Sequence, residues 1–382
     1  MTLSLLPLTV SKKALLSISL LMVGGLAFGV PAPARAQSVR DPQPINAWQV
    51  AQNPPNTDDR LAELLQQGRD LVDSGNLAEA VAIYQQAASL EPSNARIFSA
   101  IGFLEARQSN YQAAVEAYQQ AIALENDNAD FYYALGYSRA NLQDYAGAAE
   151  AYRRSIQLNR DNVEAHVGLG VVLARQEDYA GALEAYREVL RQRPNDVQGH
   201  EFIGAVYIQQ GQYELAANSL REAARLAPRR GSIQLNLGVA LLNLGDTQAG
   251  MQALQRAAEL EPRNGLIFLQ IGDIYRAQGD EAAALQQYRR AVSVQPNLRE
   301  AHALLGQIYL EREEYVQAIV SYRELVRLAP ENADAHYYLG LALKGRRRNS
   351  EAISSLQTAL GLYQQQDNAE GIARTEEALD AL

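Results

Sequence analysis

A glycine returns every 34 residues along most of this chain, at Gly68, Gly102, Gly136, Gly170, Gly204, Gly238, Gly272, Gly306 and Gly340. Nine returns without an insertion or deletion constrain the fold more than any local propensity. A fixed period of this length is the signature of stacked helical repeats. For 382 residues the ordinary expectation is two globular domains. A stack of repeats replaces that expectation, because its core is continuous and can run to any length.

The residues around the glycine repeat as well. Counting each repeat from seven residues before its glycine, an apolar residue precedes the glycine in eight repeats; Gln67 is the exception. Twelve residues after the glycine stands alanine, from Ala80 to Ala352, with Gly250 in one repeat. Four residues further on come Tyr84, Tyr118, Tyr152, Tyr186, Tyr288 and Tyr322, or Leu220, Leu254 and Leu356. Apolar residues spaced by three and four predict two amphipathic helices per repeat, at 129–142 and 146–159 in the third. Polar or glycine turns such as Gly211-Gln212, Gly245-Asp246 and Gly279-Asp280 separate them. Pro92, Pro194, Pro228, Pro262, Pro296 and Pro330 are placed to end second helices. Glycine inside a helix costs about 1 kcal/mol against alanine. The expected compensation is close approach of the glycine to the alanine of the second helix, with tyrosine or leucine filling the gap beside that contact.

Phe268, Ile271-Gly272, Tyr275, Ala284, Tyr288, Ala291 and Pro296 resemble the tetratricopeptide repeat (TPR) pattern, and the resemblance covers residues 61–366. It implies an all-α, right-handed superhelical solenoid of nine antiparallel helix pairs. A capping helix is expected at 367–382, with no domain boundary within 61–366. The resemblance also implies a protein-binding scaffold and not an enzyme.

The N-terminal residues read as an export signal. Lys12 and Lys13 precede an apolar stretch from Ala14 to Val30, and Ala34-Arg35-Ala36 offers a small-x-small cleavage site. Residues 1–36 are therefore expected to be removed, giving a periplasmic or extracellular protein with no integral membrane span; the alternative is that they are kept as a membrane anchor. Residues 37–60 read as a flexible Gln/Asn/Pro-rich linker that holds the one tryptophan, Trp48. The net charge is −10, and cleavage would remove three basic residues and no acid. Such a chain has no electrostatic attraction for nucleic acid. The absence of cysteine excludes disulfides, a thiolate nucleophile and cysteine-based metal sites.

No catalytic motif is present. All four histidines, His166, His200, His302 and His336, fall four residues before their glycines, where other repeats hold Phe98, Tyr132 and Phe268. That position takes a flat ring between helices, so packing is the expected role.

In the TPR family the first helices line a concave face, which implies a groove. Its expected partner-binding residues are Arg96, Phe103, Arg107, Tyr133, Tyr137, Val167, Val171, Arg175, Leu235, Val239 and Leu269. The apolar members form a strip that the helix packing does not require, edged by arginines toward the N-terminal half. The fitting ligand is an extended peptide or amphipathic helix of a partner protein. Asp273, Glu300, Glu311 and Asp334 make the C-terminal half acidic and are weak candidates for a divalent metal such as Mn2+ or Ca2+. The layout is similar to that of the cyanobacterial processing-associated TPR factors of photosystem II biogenesis. That similarity implies the D1 C-terminal region and Mn2+ as partners. An assembly factor of another pathway, or a secretion or polysaccharide-assembly adaptor of the cell envelope, fits the same residues.

Overall fold

The computed structural model describes residues 58–382. The expected leader at 1–36 and Trp48 lie outside the described residues, as does the linker but for its last three positions. Among the described residues there are nineteen helices and no strand. They alternate as first and second helices of nine repeats: α1 (Asp58–Asp73) and α2 (Leu77–Leu90), α3 (Ala95–Arg107) and α4 (Tyr111–Leu124), α5 (Ala129–Asn141) and α6 (Tyr145–Leu158), α7 (Val163–Arg175) and α8 (Tyr179–Gln192), α9 (Val197–Gln209) and α10 (Tyr213–Leu226). The series continues with α11 (Gly231–Asn243) and α12 (Thr247–Leu260), α13 (Gly265–Ala277) and α14 (Glu281–Val294), α15 (Arg299–Glu311) and α16 (Tyr315–Leu328), α17 (Ala333–Gly345) and α18 (Asn349–Gln365). A final helix, α19 (Ala369–Asp380), packs on α18.

These helices pack as two compact units, one running to Pro228 and one beginning at Arg229. The sequence changes at the same place. Most first helices are capped by Asn or Asp, as where Asn162 accepts from the Ala165 N–H at 3.0 Å. Before α11 the cap is Arg230, which makes no side-chain cap hydrogen bond. Within each unit the all-α stack of helix pairs is as expected.

The register glycines do make room, most of it for the tyrosine or leucine side chain of the second helix. A Cβ on Gly170 would stand 2.4 Å from the Tyr186 ring, and one on Gly272 would stand 2.5 Å from the Tyr288 ring. The tyrosine or leucine of the second helix thus lies nearest the glycine, and beside it the two backbones approach: the Ala352 carbonyl would stand 3.4 Å from a Cβ on Gly340 and the Gly250 carbonyl 3.2 Å from one on Gly238. Tyr118, Tyr152, Tyr186 and Tyr288 are among the largest fully buried side chains. Each such burial contributes about 2 kcal/mol, more than the helix penalty of its glycine.

The short turns inside the repeats share one strained residue. Gly75, Ser109, Gln143, Glu177, Gly211, Gly245, Gly279, Glu313 and Arg347 all have positive φ. Four of these nine are glycine, and the rest hold a side chain in the left-handed region. Proline is not needed to end the second helices. α4 and α6 stop at Leu124 and Leu158 with no proline after them, at the register where α2 stops before Pro92.

Candidate functional site

Successive first helices touch directly: α3 with α5 and α5 with α7 in the first unit, α15 with α17 in the second. Second helices of neighbouring repeats approach less closely, so the first helices occupy the tighter, inner side of each stack. This packing sorts the expected groove residues into two sets.

The accessible set lies at the ends of the first helices and on one stripe of α3. Arg96 and Arg107 are exposed and Phe103 is partly exposed. Spacings of seven and four residues place all three on the same helix face. The Arg107 guanidinium lies 5.7 Å from the centre of the Phe103 ring. Val171 and Arg175 on α7 are partly exposed as well.

The second set is buried. Tyr133 and Tyr137 are 7% exposed, Val167 5%, Leu235 8%, Val239 6% and Leu269 0%. For these six the expectation of a strip outside the packing set is corrected. The reason is visible at Val167, which clusters with Val163, with Val189 of its own second helix and with Phe202 of the next repeat. The fifth position of this first helix therefore faces two other helices at once, α8 and α9. Tyr133 likewise packs on Tyr152, ring centres 5.9 Å apart, and Tyr137 meets Tyr111 edge-on at 6.3 Å.

The buried tyrosines bring a polar group to this inner side. Having crossed its glycine, the Tyr288 hydroxyl donates to Asp273 Oδ1 at 2.8 Å, on the inner face of α13. Burial pushes Asp273 up to about 6, against the Tyr288 hydrogen bond and the nearby Arg276 charge. In the first unit the ninth position of the first helix holds Arg69, Phe103, Tyr137, Val171 or Ala205 and offers no carboxylate. There the Tyr118 and Tyr186 hydroxyls are buried with no hydrogen-bond partner. Burial pushes both phenols well above their usual range; Tyr133 and Tyr137 add to this at Tyr118.

The acids proposed for metal are not brought together. Asp273 is engaged by Tyr288, and Asp334 by Arg374 and Tyr363. Glu311 accepts from Gln307 Nε2 at 2.8 Å, and Glu300 stands partly exposed on α15. No group of three His, Asp or Glu side chains among the described residues is arranged to hold a metal ion. No described helix is long and apolar enough to cross a membrane.

The histidines have a role that sequence spacing did not disclose. Each Nε2 bonds the carbonyl six residues before it: His166 to Arg160 at 3.1 Å, His200 to Pro194 at 3.0 Å, His302 to Pro296 and His336 to Pro330 at 2.9 Å. A carbonyl only accepts, so Nε2 carries the proton. Each bond crosses from one repeat to the one before. A cleft of about 760 Å³ opens beside His166 between α6 and α8, with Ile156, Leu169 and Leu173 in its lining. Its rim charges are partly engaged with one another. Hydrogen bonds from Arg191 and Gln192 hold Glu188 down to about 2.

Comparison with known proteins places the same repeats. A family model described as tetratricopeptide repeat matches residues 133–197 and 203–265, and one described as TPR repeat matches 68–109, 104–143, 272–312 and 306–345. No curated protein sequence matches. A tetratricopeptide repeat protein from Parabacteroides merdae superposes with a TM-score of 0.54 at 19% identity, covering 65% of this chain and 98% of that one. A chain of the APC/C Cut9–Hcn1 hetero-tetramer gives 0.51 at 19% identity over 73% of this chain and 55% of that one. A monomeric IFIT1 mutant with Gppp-AAAA gives 0.51 at 15% identity over 82% and 79%. At such identities the likeness is one of fold.

Proposed function

The chain belongs to the tetratricopeptide repeat family, and on that premise we propose that it is an exported, non-enzymatic assembly scaffold holding a segment of a partner protein. The binding surface is the inner face of the first unit. The observation that carries this reading is the α3 stripe of Arg96, Phe103 and Arg107, in which a partly exposed ring stands between two exposed guanidinium groups. The chemistry suits a peptide that sets an apolar side chain on Phe103 and carboxylates against the arginines. Export is supported by the basic, apolar and small-residue order of residues 1–36.

The test compares the full chain with a Phe103→Ala, Arg107→Ala variant. Proteins captured by each from the exported fraction are identified by mass spectrometry. Partners that bind through α3 are expected to drop out of the variant's list while its thermal unfolding overlaps that of the wild type. An identical list from both chains would overturn the α3 site.

A further inference from the structure

α19 stands where the first helix of another repeat would stand, and Arg374 falls 34 residues after Gly340, at the register position of the glycine. The arginine is held by side chains of repeat nine, with 31% of its own side chain left exposed. Its guanidinium carbon lies 4.6 Å from the ring centre of Tyr337, 5.1 Å from that of Tyr363 and 5.9 Å from that of Tyr338. One Nη donates to Asp334 and to the Tyr363 hydroxyl, and that hydroxyl also bonds Asp334. Nε is buried with no hydrogen-bond acceptor. Three aromatic faces and a carboxylate around one planar cation make a receptor for guanidinium. All four receptor residues belong to α17 and α18.

Little else holds α19. Its buried residues are Gly371, Thr375 and Ala378, all small, and Ile372 packs only partly against the cluster of Ala333, Ala359 and Tyr363. The fit is nonetheless selective. A Cβ on Gly371 would stand 2.4 Å from the Tyr363 ring. The receptor thus calls for a helix with glycine three residues before an arginine and small residues at one and four residues after it. α19 itself is the helix that meets this requirement.

The connection to α18 favours release. Residues Gln366, Asp367 and Asn368 contain no proline, and Asp367 is held at a φ of 52°. If the segment turns helical and joins α18 to α19, Asp367 leaves the left-handed region. α18 already runs 17 residues where the other second helices run 14.

We infer that α19 exchanges between two copies of this chain, each Arg374 entering the guanidinium receptor of the other copy. The partner is a second copy because only its α19 reproduces the glycine, arginine and small-residue pattern together. The exchanged form keeps the same contacts and relieves the turn. Against it stands the tether, which supplies an effective concentration on the order of 1 mM to the intramolecular form.

Two complementary full-chain variants test this. Arg374→Ala keeps an intact receptor but has an α19 without its cation. Asp334→Ala with Tyr337→Ala keeps an intact α19 but has a broken receptor. Native mass spectrometry of the mixture is expected to show a heterodimer at roughly ten times the level of either variant's self-dimer, one tenfold step corresponding to about 1.4 kcal/mol. A mixture that stays monomeric, with both variants retaining wild-type helicity by circular dichroism, overturns the proposal. A measurement on the wild type does not depend on the variants folding. Light- and heavy-isotope chains are mixed at about 1 mM, the concentration that matches the tether, and α19 is cross-linked to α17. Cross-links joining light to heavy chains support exchange; cross-links confined to chains of one mass overturn it.

Discussion

The two units are built from one packing set and present different inner faces. In the first, the ninth position of successive first helices is Arg69, Phe103, Tyr137, Val171 and Ala205. The Tyr118 and Tyr186 hydroxyls that arrive beneath it find no partner. In the second unit that position is Val239, Asp273, Gln307 and Leu341, and Tyr288 is bonded to Asp273. Further along, Tyr363 and Arg374 are bonded to Asp334. The second unit thus satisfies much of its inner polarity internally. The first leaves hydroxyls unsatisfied beneath an apolar, arginine-edged surface. A scaffold of fixed geometry is made specific by what stands at one register position, not by the residues that define the repeat.

Substitutions can break or sharpen this contrast. The largest expected effect is that of Tyr133→Ala, which removes a ring packed on Tyr152 in the first unit's core. A loss of about 3–5 kcal/mol is expected from urea unfolding. A loss below about 1 kcal/mol would return Tyr133 to the set available for partners.

Next comes Asp273→Asn in the second unit. The carboxyl sits at about 6, above its ordinary 3.8, so the folded state favours its neutral form. Its stabilising contribution is complete below 3.8 and is lost as pH rises through about 6. The asparagine, which never ionises, should therefore raise stability at pH 7 by about 1–3 kcal/mol and leave it nearly unchanged at about pH 3. An equal effect at both pH values would mean that ionisation of Asp273 is not what separates the two forms.

Val171→Asp tests whether the contrast can be transferred. It places a carboxylate over Tyr186 in the register that Asp273 has over Tyr288. A double-mutant cycle with Tyr186→Phe should give a favourable coupling of about 1–2 kcal/mol. Zero coupling would show that the orphan hydroxyl does not reach that position. The smallest effect concerns a feature the units share. Glu177→Gly in the first unit should gain about 0.5–1 kcal/mol and Gly279→Glu in the second should lose as much, both read from thermal unfolding. Unequal magnitudes would extend the difference between units to their turns.

The fold was legible because its signals are local and repeated. The helices expected at 129–142 and 146–159 are observed at Ala129–Asn141 and Tyr145–Leu158. The candidate surface was less so. Phe103 and Val167 read alike as apolar residues on a first helix. Which one is reachable depends on how closely α7 approaches α8 and α9, a tertiary quantity that the period does not encode. The strained turns were half visible. Gly211, Gly245 and Gly279 announce a left-handed residue, whereas Glu177 and Gln143 occupy the same conformation without a compositional sign. The division at Pro228 was also hidden, although Arg230 stands where most repeats have an asparagine or aspartate cap.

The histidine bonds have a mechanical consequence. They rivet repeat four to three, five to four, eight to seven and nine to eight, while the junctions of one with two, two with three and six with seven have no such rivet. Pulled from its ends, each unit would yield first at its unriveted seams.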